Sequence, residues 1–310
     1  MRALVTGVCG FVGKYLADYL VEYGDTVVGT YLQAEPQNVT WQSTYLDISD
    51  FKSCYSLIKQ FKPDVVYHLA GISFVPEAEE NFTNALVINV GGVNNIARSC
   101  HLLENNAKIL IISSAEVYGR IKPEFLPLSE TTPINPANNY SLSKRMAELI
   151  APRYEQFNTI SSVTLRPFNH IGPGQNNRFV ASSFAYQLAL IANGKEAPVI
   201  KVGNLEALRD FSDVRDIIIA YRLAAEKGHG IYNLGSGIAT PIQYLLDHLI
   251  KISGLKVRIE KDMERMRPSE VPEIRADCSK ALRDLGWKTQ RSLEQSLADI
   301  YKFWFDNLKT

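Results

Sequence analysis

The stretch Thr6-Gly7-Val8-Cys9-Gly10-Phe11-Val12-Gly13 decides the fold of this chain. It follows the apolar run Ala3-Leu4-Val5 and leads into an amphipathic run. The apolar side chains of that run recur with helical spacing at Val12, Tyr15, Leu16, Tyr19 and Leu20. A short apolar run that gives way to helical spacing at glycines predicts a strand, a turn and a helix.

The three glycines of this turn predict a dinucleotide site. Gly7 allows a sharp turn, Gly10 allows the backbone to approach a pyrophosphate, and Gly13 allows the helix to lie close to the strand. Unpaired N–H groups at the helix N-terminus would then bind the phosphates. Alone, the pattern also fits a tight turn before a helix, but its place directly after a buried first strand favours a dinucleotide.

Composition excludes several classes of function. The chain has 310 residues, of which 46% are hydrophobic and 21% are charged, which is ordinary for a globular protein. Because 33 basic residues balance 33 acidic ones, no net charge favours nucleic acid or an anionic membrane. The four cysteines show no paired spacing, which predicts a reduced chain without a zinc site or other metal site. No apolar run has membrane-spanning length, and Met1-Arg2 leads directly into the first strand, so we expect a soluble, cytoplasmic protein.

Apolar runs that alternate with helical patterns predict the architecture. After the first strand, we expect a second strand at 26–30 and a short third strand that ends at 46–48. Further strands are expected at 65–71, 108–112 and 162–166, and one more at 231–234 that returns to the sheet. This order predicts an α/β fold, a doubly wound parallel sheet (Rossmann) with a smaller, discontinuous C-terminal substrate domain. The expected dinucleotide domain is 1–168 plus about 211–236, and the substrate domain is about 169–210 plus 237–310.

The end of the second strand predicts the cofactor. An acid there would bind the ribose of NAD and repel a 2′-phosphate, whereas this chain has Tyr31-Leu32-Gln33. The absence of an acid favours NADP(H), and the absence of a base keeps NAD(H) as the alternative. Asp47 either caps the helix that follows or contacts the adenine amino group. His68 is interpreted as a packed, hydrogen-bonded residue rather than a base.

Ser114, Tyr140 and Lys144 form the candidate catalytic group. Tyr140 and Lys144 are four residues apart at the start of a helix and therefore share one face. We expect the Lys144 ammonium, beside a positively charged nicotinamide, to lower the pKa of the Tyr140 phenol. Tyr140 would then exchange a proton with a substrate oxygen held by Ser114. The alternative interpretation of Tyr-x-x-x-Lys is a solvated helix face.

Five motifs carry a family resemblance, namely Thr6-Gly7-x-x-Gly10-Phe11-x-Gly13, His68-Leu69-Ala70, Ser114-x-Glu116-x-Tyr118-Gly119, Tyr140-x-x-x-Lys144 and Arg166-Pro167-x-Asn169. The chain resembles, over essentially its whole length, the extended short-chain dehydrogenase/reductases that act on nucleotide sugars. The resemblance implies a homodimer that packs the helices near 84–105 and 140–157. It also implies these cofactor-binding residues: Thr6, Gly7, Gly10, Phe11, Val12, Gly13, Asp47, Ile48, Leu69, Ala70, Gly71, Asn89, Tyr140, Lys144 and Pro167.

The resemblance also implies the substrate-binding residues, which are Asn169, Arg178, Arg209, Arg267 and Glu270. Arg209 and Arg267 would hold the substrate diphosphate and Glu270 the nucleotide ribose, because guanidinium groups suit phosphate oxygens and a carboxylate suits paired hydroxyls. The alternative for Arg209 is a local surface ion pair with Asp210.

Within the family, Arg267-Pro-Ser-Glu-Val resembles the branch that acts on GDP-mannose derivatives, and the guanine preference depends on resemblance alone. The segments 168–175 and 209–216 resemble reductases that convert GDP-4-keto-6-deoxy-D-mannose to GDP-D-rhamnose. The main alternative is a 4,6-dehydratase with Glu116 as base, although those enzymes usually have a longer chain and an Arg-rich segment after the second strand. A 4-epimerase, a dTDP-sugar enzyme and a redox-sensing binding protein are further alternatives, and the last would typically lack Tyr140 or Lys144.

Overall fold

The computed structural model describes residues 1–266 and 271–309. The strands are β1 (Arg2–Thr6), β2 (Thr26–Tyr31), β3 (Gln42–Tyr45), β4 (Val65–His68), β5 (Lys108–Ile112), β6 (Ser161–Pro167), β7 (Asn169–Ile171), β8 (Val199–Val202), β9 (Leu208–Asp213), β10 (Gly230–Leu234), β11 (Ala239–Pro241), β12 (Arg258–Lys261) and β13 (Glu273–Ile274). The α-helices are α1 (Phe11–Glu22), α2 (Phe51–Phe61), α3 (Val75–Glu80), α4 (Phe82–Leu86), α5 (Gly92–Leu102), α6 (Asn139–Glu148), α7 (Ile150–Glu155), α8 (Val180–Ala192), α9 (Val214–Lys227), α10 (Ile242–Ser253), α11 (Ser279–Leu285) and α12 (Leu293–Asn307).

Seven parallel strands form the main sheet in the order β10-β6-β5-β4-β1-β2-β3. Helices α1 and α9 cover one face, where Leu16 and Ile217 pack in one buried cluster with Val5. Helices α2, α5 and α7 cover the other face, where Ile58 and Ile96 pack with residues of the same strands. The predicted doubly wound α/β sheet is therefore confirmed, and β10 returns to it as expected.

A third hydrophobic cluster lies in the C-terminal part of the chain. Helices α8, α10 and α12 pack Leu188, Leu245 and Leu297 together beside the short strands β8 and β9. Strand β9 pairs with β7, β11 and β13, and β8 pairs with β12. Most of these strands are too short to give a recognisable alternation in sequence. The division into two domains stays a prediction.

Several expected elements differ in detail from those in the structure. Strand β3 ends at Tyr45, before the predicted 46–48. The single helix expected at 84–105 is α4, a π-helical turn over Val87–Gly91 and α5. Helix α6 ends at Glu148 and α7 begins at Ile150, because Pro152 lacks the N–H that would donate to the Glu148 carbonyl.

A buried ion pair joins α6 to β6. The Nε and Nη2 atoms of Arg166 each donate to Glu148 at 2.8 Å, and Ser113 Oγ donates to Glu148 at 2.6 Å. Arg166 Nη1 also donates to the Tyr118 hydroxyl at 3.0 Å. Both charged side chains are 1% exposed, so removal of Glu148 leaves the Arg166 charge unpaired in the interior. This network holds the carboxyl ends of β5 and β6 against the helix that carries Tyr140.

We therefore predict that Glu148→Ala lowers the free energy of unfolding by about 3–5 kcal/mol, because the Arg166 charge loses its buried partner. Urea denaturation measures the change. The exposed pair Lys122–Glu124, 3.7 Å apart, provides the control, and Glu124→Ala should change stability by about 0–1 kcal/mol. Equal effects of the two substitutions would contradict the structural role of Glu148.

Candidate active site

One cavity of about 1180 Å³ lies along the carboxyl edge of the main sheet. The glycine-rich turn and the loops that follow β2, β4, β5 and β6 line it. The first residues of α8 line it too. This edge is where doubly wound sheets bind ligands.

The glycine-rich turn has the geometry that its sequence predicts. Gly7 has a φ of +74°, and a Cβ there would lie 2.9 Å from the backbone of Ala70. A Cβ on Gly13 would lie 2.4 Å from the Gly7 carbonyl oxygen, so only glycine lets α1 approach the turn this closely. Gly10 is the N-cap residue of α1, and its N–H donates to the Gly7 carbonyl at 3.0 Å.

The N-terminus of α1 fits an anionic ligand. No side chain caps it, and its first turn contains no acidic residue. Phe11, Val12 and Gly13 all line the cavity, and the Phe11 ring stacks on His170 with centroids 6.1 Å apart. Uncapped N–H groups and the helix dipole favour a phosphate at this position.

Thr6 links the first and fourth strands beneath the turn. Its hydroxyl accepts from the Ala70 N–H at 3.1 Å and bonds His68 Nδ1 at 3.1 Å. Burial, with the nearby Lys144 charge, lowers the pKa of His68 to about 3. His68 is therefore a packed, neutral residue, as the sequence suggested.

The wall after β2 and β3 contains a carboxylate that sequence reading missed. Tyr31, Leu32 and Gln33 line the cavity as expected, but Glu35 lines it too and accepts from Ser43 Oγ at 2.8 Å. The sequence interpretation ended at Gln33 and so omitted this acid.

Asp47 and Ile48 line the same wall. Asp47 does not cap α2, because Asp50 accepts the N–H groups of Lys52 and Ser53 in that role. Asp47 instead accepts from the N–H and the hydroxyl of Ser49, at 2.8 and 2.7 Å. The capping alternative was therefore wrong.

The residues after β4 form a flat part of the wall. Leu69, Ala70 and Gly71 line the cavity, and a Cβ on Gly71 would lie 2.7 Å from the Asn89 side-chain oxygen. Asn89 is buried, and its amide bonds both backbone groups of Ile72 and the Ser143 hydroxyl. Its side chain thus holds the wall in place, and a direct contact of Asn89 with the cofactor stays a prediction.

Ser114, Glu116, Tyr140 and Lys144 come together in the cavity wall, beside Pro167 and Asn169. Tyr140 is 7% exposed and its hydroxyl hydrogen-bonds Ser114. The Lys144 ammonium donates to the Ile112 carbonyl at 2.9 Å and lies 6.0 Å from the centre of the Tyr140 ring. The alternative of a solvated helix face is therefore wrong.

The electrostatics of Tyr140 differ from the expectation. Burial raises the pKa of Tyr140 to about 12, the hydrogen bond with Ser114 opposes that rise, and the Glu116 charge adds to it. Burial lowers the pKa of Lys144 to about 8, with the Glu148 charge opposing. Burial of the phenol therefore dominates its pKa in this structure. The lowering expected from Lys144 beside a positively charged nicotinamide stays a prediction. At neutral pH the phenol keeps its proton and can donate it.

Two predicted substrate-binding arginines, Arg178 and Arg209, are not among the residues that line the cavity. Arg209 Nη1 donates to the carbonyls of Leu208 and Val271, both at 2.9 Å. Asp210 is buried and accepts from the N–H groups of residues 236, 237 and 276, so the alternative of a surface ion pair with Arg209 is wrong. Arg178 is exposed, with its guanidinium 4.5 Å from the centre of the Phe74 ring. Arg267 and Glu270 lie outside the described residues.

Two buried cavity residues were absent from the sequence predictions. Gln175 and Tyr221 both line the cavity, and each has a polar atom without a hydrogen-bond partner among residues 1–266 and 271–309. Neither stands in a recognisable catalytic pattern, so only their position identifies them.

Within residues 1–266 and 271–309, no group of three or more His, Cys, Asp or Glu residues could hold a metal ion. Within the same residues, no helix is long and apolar enough to cross a membrane.

A glycine-rich turn before an uncapped helix, beside a Ser–Tyr–Lys group at the same sheet edge, is the arrangement of an NAD(P)-dependent oxidoreductase. The sequence profile of GDP-mannose 4,6 dehydratase matches residues 4–300, and the chain belongs to that family.

Individual relatives are similar over nearly the whole chain. GDP-6-deoxy-D-mannose reductase of Pseudomonas aeruginosa is 33% identical, with 98% of this chain and 97% of the relative covered. GDP-6-deoxy-D-talose 4-dehydrogenase of Aggregatibacter actinomycetemcomitans is 32% identical, with 97% of each chain covered. The structure of RMD from Pseudomonas aeruginosa complexed with NADPH has a TM-score of 0.86 and 31% identity, and covers 99% of this chain and 100% of that one.

The pKa of Lys144 leads to a testable pH dependence. If the ammonium is needed, kcat/KM for the reduction of a keto sugar should fall by about tenfold per pH unit above about pH 8, where Lys144 loses its proton. Initial rates between pH 6.5 and 10 measure this fall. Lys144→Met, which is neutral at every pH, should be slow and should lack the fall. A wild-type profile that stays level to pH 10 would rule out a required Lys144 charge.

Proposed function

We propose that this protein reduces the C4 ketone of GDP-4-keto-6-deoxy-D-mannose to give GDP-D-rhamnose. The observation that carries the proposal is the Tyr140 hydroxyl beside Ser114 in the cavity wall, since reduction of a ketone needs a proton donor at its oxygen. The similarity to a GDP-6-deoxy-D-mannose reductase over nearly the whole chain supports this choice of substrate.

The cofactor would lie along the glycine-rich turn, with its pyrophosphate at the N-terminus of α1. When bound, it supplies the hydride. NADP(H) is favoured, because residues 31–33 contain no acid and the solved relative holds NADPH. Glu35 keeps NAD(H) as the alternative, since a carboxylate in this wall opposes a 2′-phosphate.

The substrate diphosphate would lie at the N-terminus of α8. This helix has no side-chain cap and no acidic residue in its first turn, and Phe179, Val180 and Ala181 line the cavity. The sugar would then extend toward Tyr140. There the Tyr140 hydroxyl gives its proton to the C4 oxygen, Ser114 hydrogen-bonds the same oxygen, and Lys144 keeps a positive charge nearby.

A 4,6-dehydratase is the second candidate. Glu116 lines the cavity, and it is near enough to Tyr140 for its charge to raise the pKa of that phenol. A carboxylate at this place could take a proton from C5 of the sugar. The family profile, which is that of the dehydratases, also favours this candidate.

One assay separates the two candidates. With GDP-4-keto-6-deoxy-D-mannose and NADPH, we expect stoichiometric loss of absorbance from the reduced nicotinamide. Tyr140→Phe should lower kcat by about 10²–10⁴-fold, because the proton donor is lost, while the Kd of NADPH stays near the wild-type value.

A different product would overturn the reductase proposal. If GDP-mannose alone yields the 4-keto sugar without net change in the nicotinamide, the dehydratase takes its place. Near-normal turnover of Tyr140→Phe would remove Tyr140 from the mechanism.

We also propose a homodimer. Leu142 and Met146 on α6 and its C-cap residue Leu149 are spaced i, i+4 and i+7, so they share one face, and they are 40%, 39% and 56% exposed. Val87, in the π-helical turn of the neighbouring helical run, is 48% exposed. Exposed apolar side chains along one helix face are typical of a protein interface. The cytoplasmic location also stays a prediction.

Light scattering coupled to gel filtration tests the dimer. We expect a mass of twice the chain for the wild type and a shift toward monomer for Leu149→Lys, because a charge would be buried at the interface. Leu282→Lys, on α11 at 52% exposure, is the matched control and should leave the mass unchanged. A monomeric wild type would exclude the proposed dimer.

A further inference from the structure

Gln175 has a side-chain amide that is fixed at one end and unpaired at the other. It follows β7, is 6% exposed and forms part of the cavity wall. Its Nε2 donates to the His170 carbonyl at 2.9 Å, and its own backbone carbonyl accepts from Ser182 Oγ at 2.6 Å. Its Oε1 has no hydrogen-bond partner among the residues that the structure describes.

The orientation of this amide follows from the hydrogen bond to His170. A carbonyl can only accept, so the nitrogen must face His170 and the oxygen must face the other way. A buried oxygen without a donor lowers stability, and a molecule in the cavity can supply the missing donor because Gln175 belongs to the wall.

The neighbouring groups indicate which part of a nucleotide sugar supplies that donor. Ser182, which holds the Gln175 backbone, lies in the first turn of α8, where the uncapped N-terminus fits the diphosphate. A phosphate that is fully ionised has oxygens that accept only, so it cannot satisfy Oε1. The hexose is joined directly to the diphosphate and carries several hydroxyl donors.

We infer that Gln175 is a specificity-determining residue whose Oε1 accepts a hydrogen bond from a hexose hydroxyl of the substrate. The inference rests on the proposed GDP-sugar function, which it extends from the nucleotide to the sugar. It gives the protein a means to prefer the complete nucleotide sugar over the free nucleotide. A site that provides a buried acceptor rejects ligands without the matching donor.

Binding of GDP and of GDP-mannose, each measured by calorimetry with NADPH present, tests this inference. The wild type should bind GDP-mannose more tightly than GDP. In Gln175→Met, which has a similar shape but no acceptor, that preference should fall by about tenfold, while the Kd of GDP itself stays near the wild-type value.

Two further variants separate the acceptor from other effects. Gln175→Glu loses the donor to His170 but keeps an oxygen at the position of Oε1, so it should retain more of the preference than Gln175→Met. Tyr67→Phe removes another buried, unpartnered oxygen, on β4, from a residue that does not line the cavity. It should keep the wild-type preference.

Each contrary outcome has a distinct meaning. A Gln175→Met variant with the wild-type preference would overturn the role of Gln175 and leave the proposed function standing. If the Met and Glu variants lose the preference for GDP-mannose equally, the effect belongs to the hydrogen bond with His170, and this outcome would also overturn the proposed role of Gln175. A wild type that binds NADPH but neither GDP ligand would overturn the proposed function itself.

Discussion

The bidentate pair of Arg166 and Glu148 is the interaction on which the arrangement of the site depends. It ties the end of β6 to α6, and Ser113 joins it from the end of β5. Ser114 and Tyr140 lie on the chain segments that this pair fixes. Burial alone would raise the pKa of Glu148, but hydrogen bonds from Arg166, Ser113 and Arg145 outweigh it and hold the pKa below its usual range. The pair therefore stabilises the fold at neutral pH, and its contribution is lost as pH falls through the lowered pKa.

Burial also sets the protonation states of the reacting groups. Tyr140 lies almost wholly inside the protein, so its charged form is disfavoured and its pKa is raised to about 12. The same effect lowers the pKa of Lys144 to about 8. The pKa values of this phenol and this amine, four residues apart, thus shift in opposite directions because burial disfavours the charged form of each. In the proposed reduction, this arrangement leaves Tyr140 protonated and ready to act as the acid.

The uncapped N-termini of α1 and α8 both line the cavity and have no acidic residue in their first turns. Each fits a diphosphate, which suits a site that would bring a dinucleotide and a nucleotide sugar together at Tyr140. The wall after β2 and β3 contains Glu35, and the wall near α8 contains Gln175. Both residues have the chemistry to discriminate between ligands. The charge of Glu35 opposes a phosphate, and the unpaired oxygen of Gln175 favours a ligand with a hydrogen-bond donor.

The sequence by itself determined the doubly wound sheet, the glycine-rich turn and the pairing of Tyr140 with Lys144, because these depend on local periodicity and on residues close together in the chain. Ser114 was predicted from its place at the end of a strand, since the carboxyl ends of parallel strands meet at one edge of the sheet. The tertiary structure alone decided the cap of α2, the raised pKa of Tyr140, the partner of Arg166 and the place of Gln175. Each of these depends on which groups meet across distant segments and on how completely water is excluded from them. Local spacing in the sequence predicts neither of these, since burial and hydrogen-bond pairing arise only when the chain has packed.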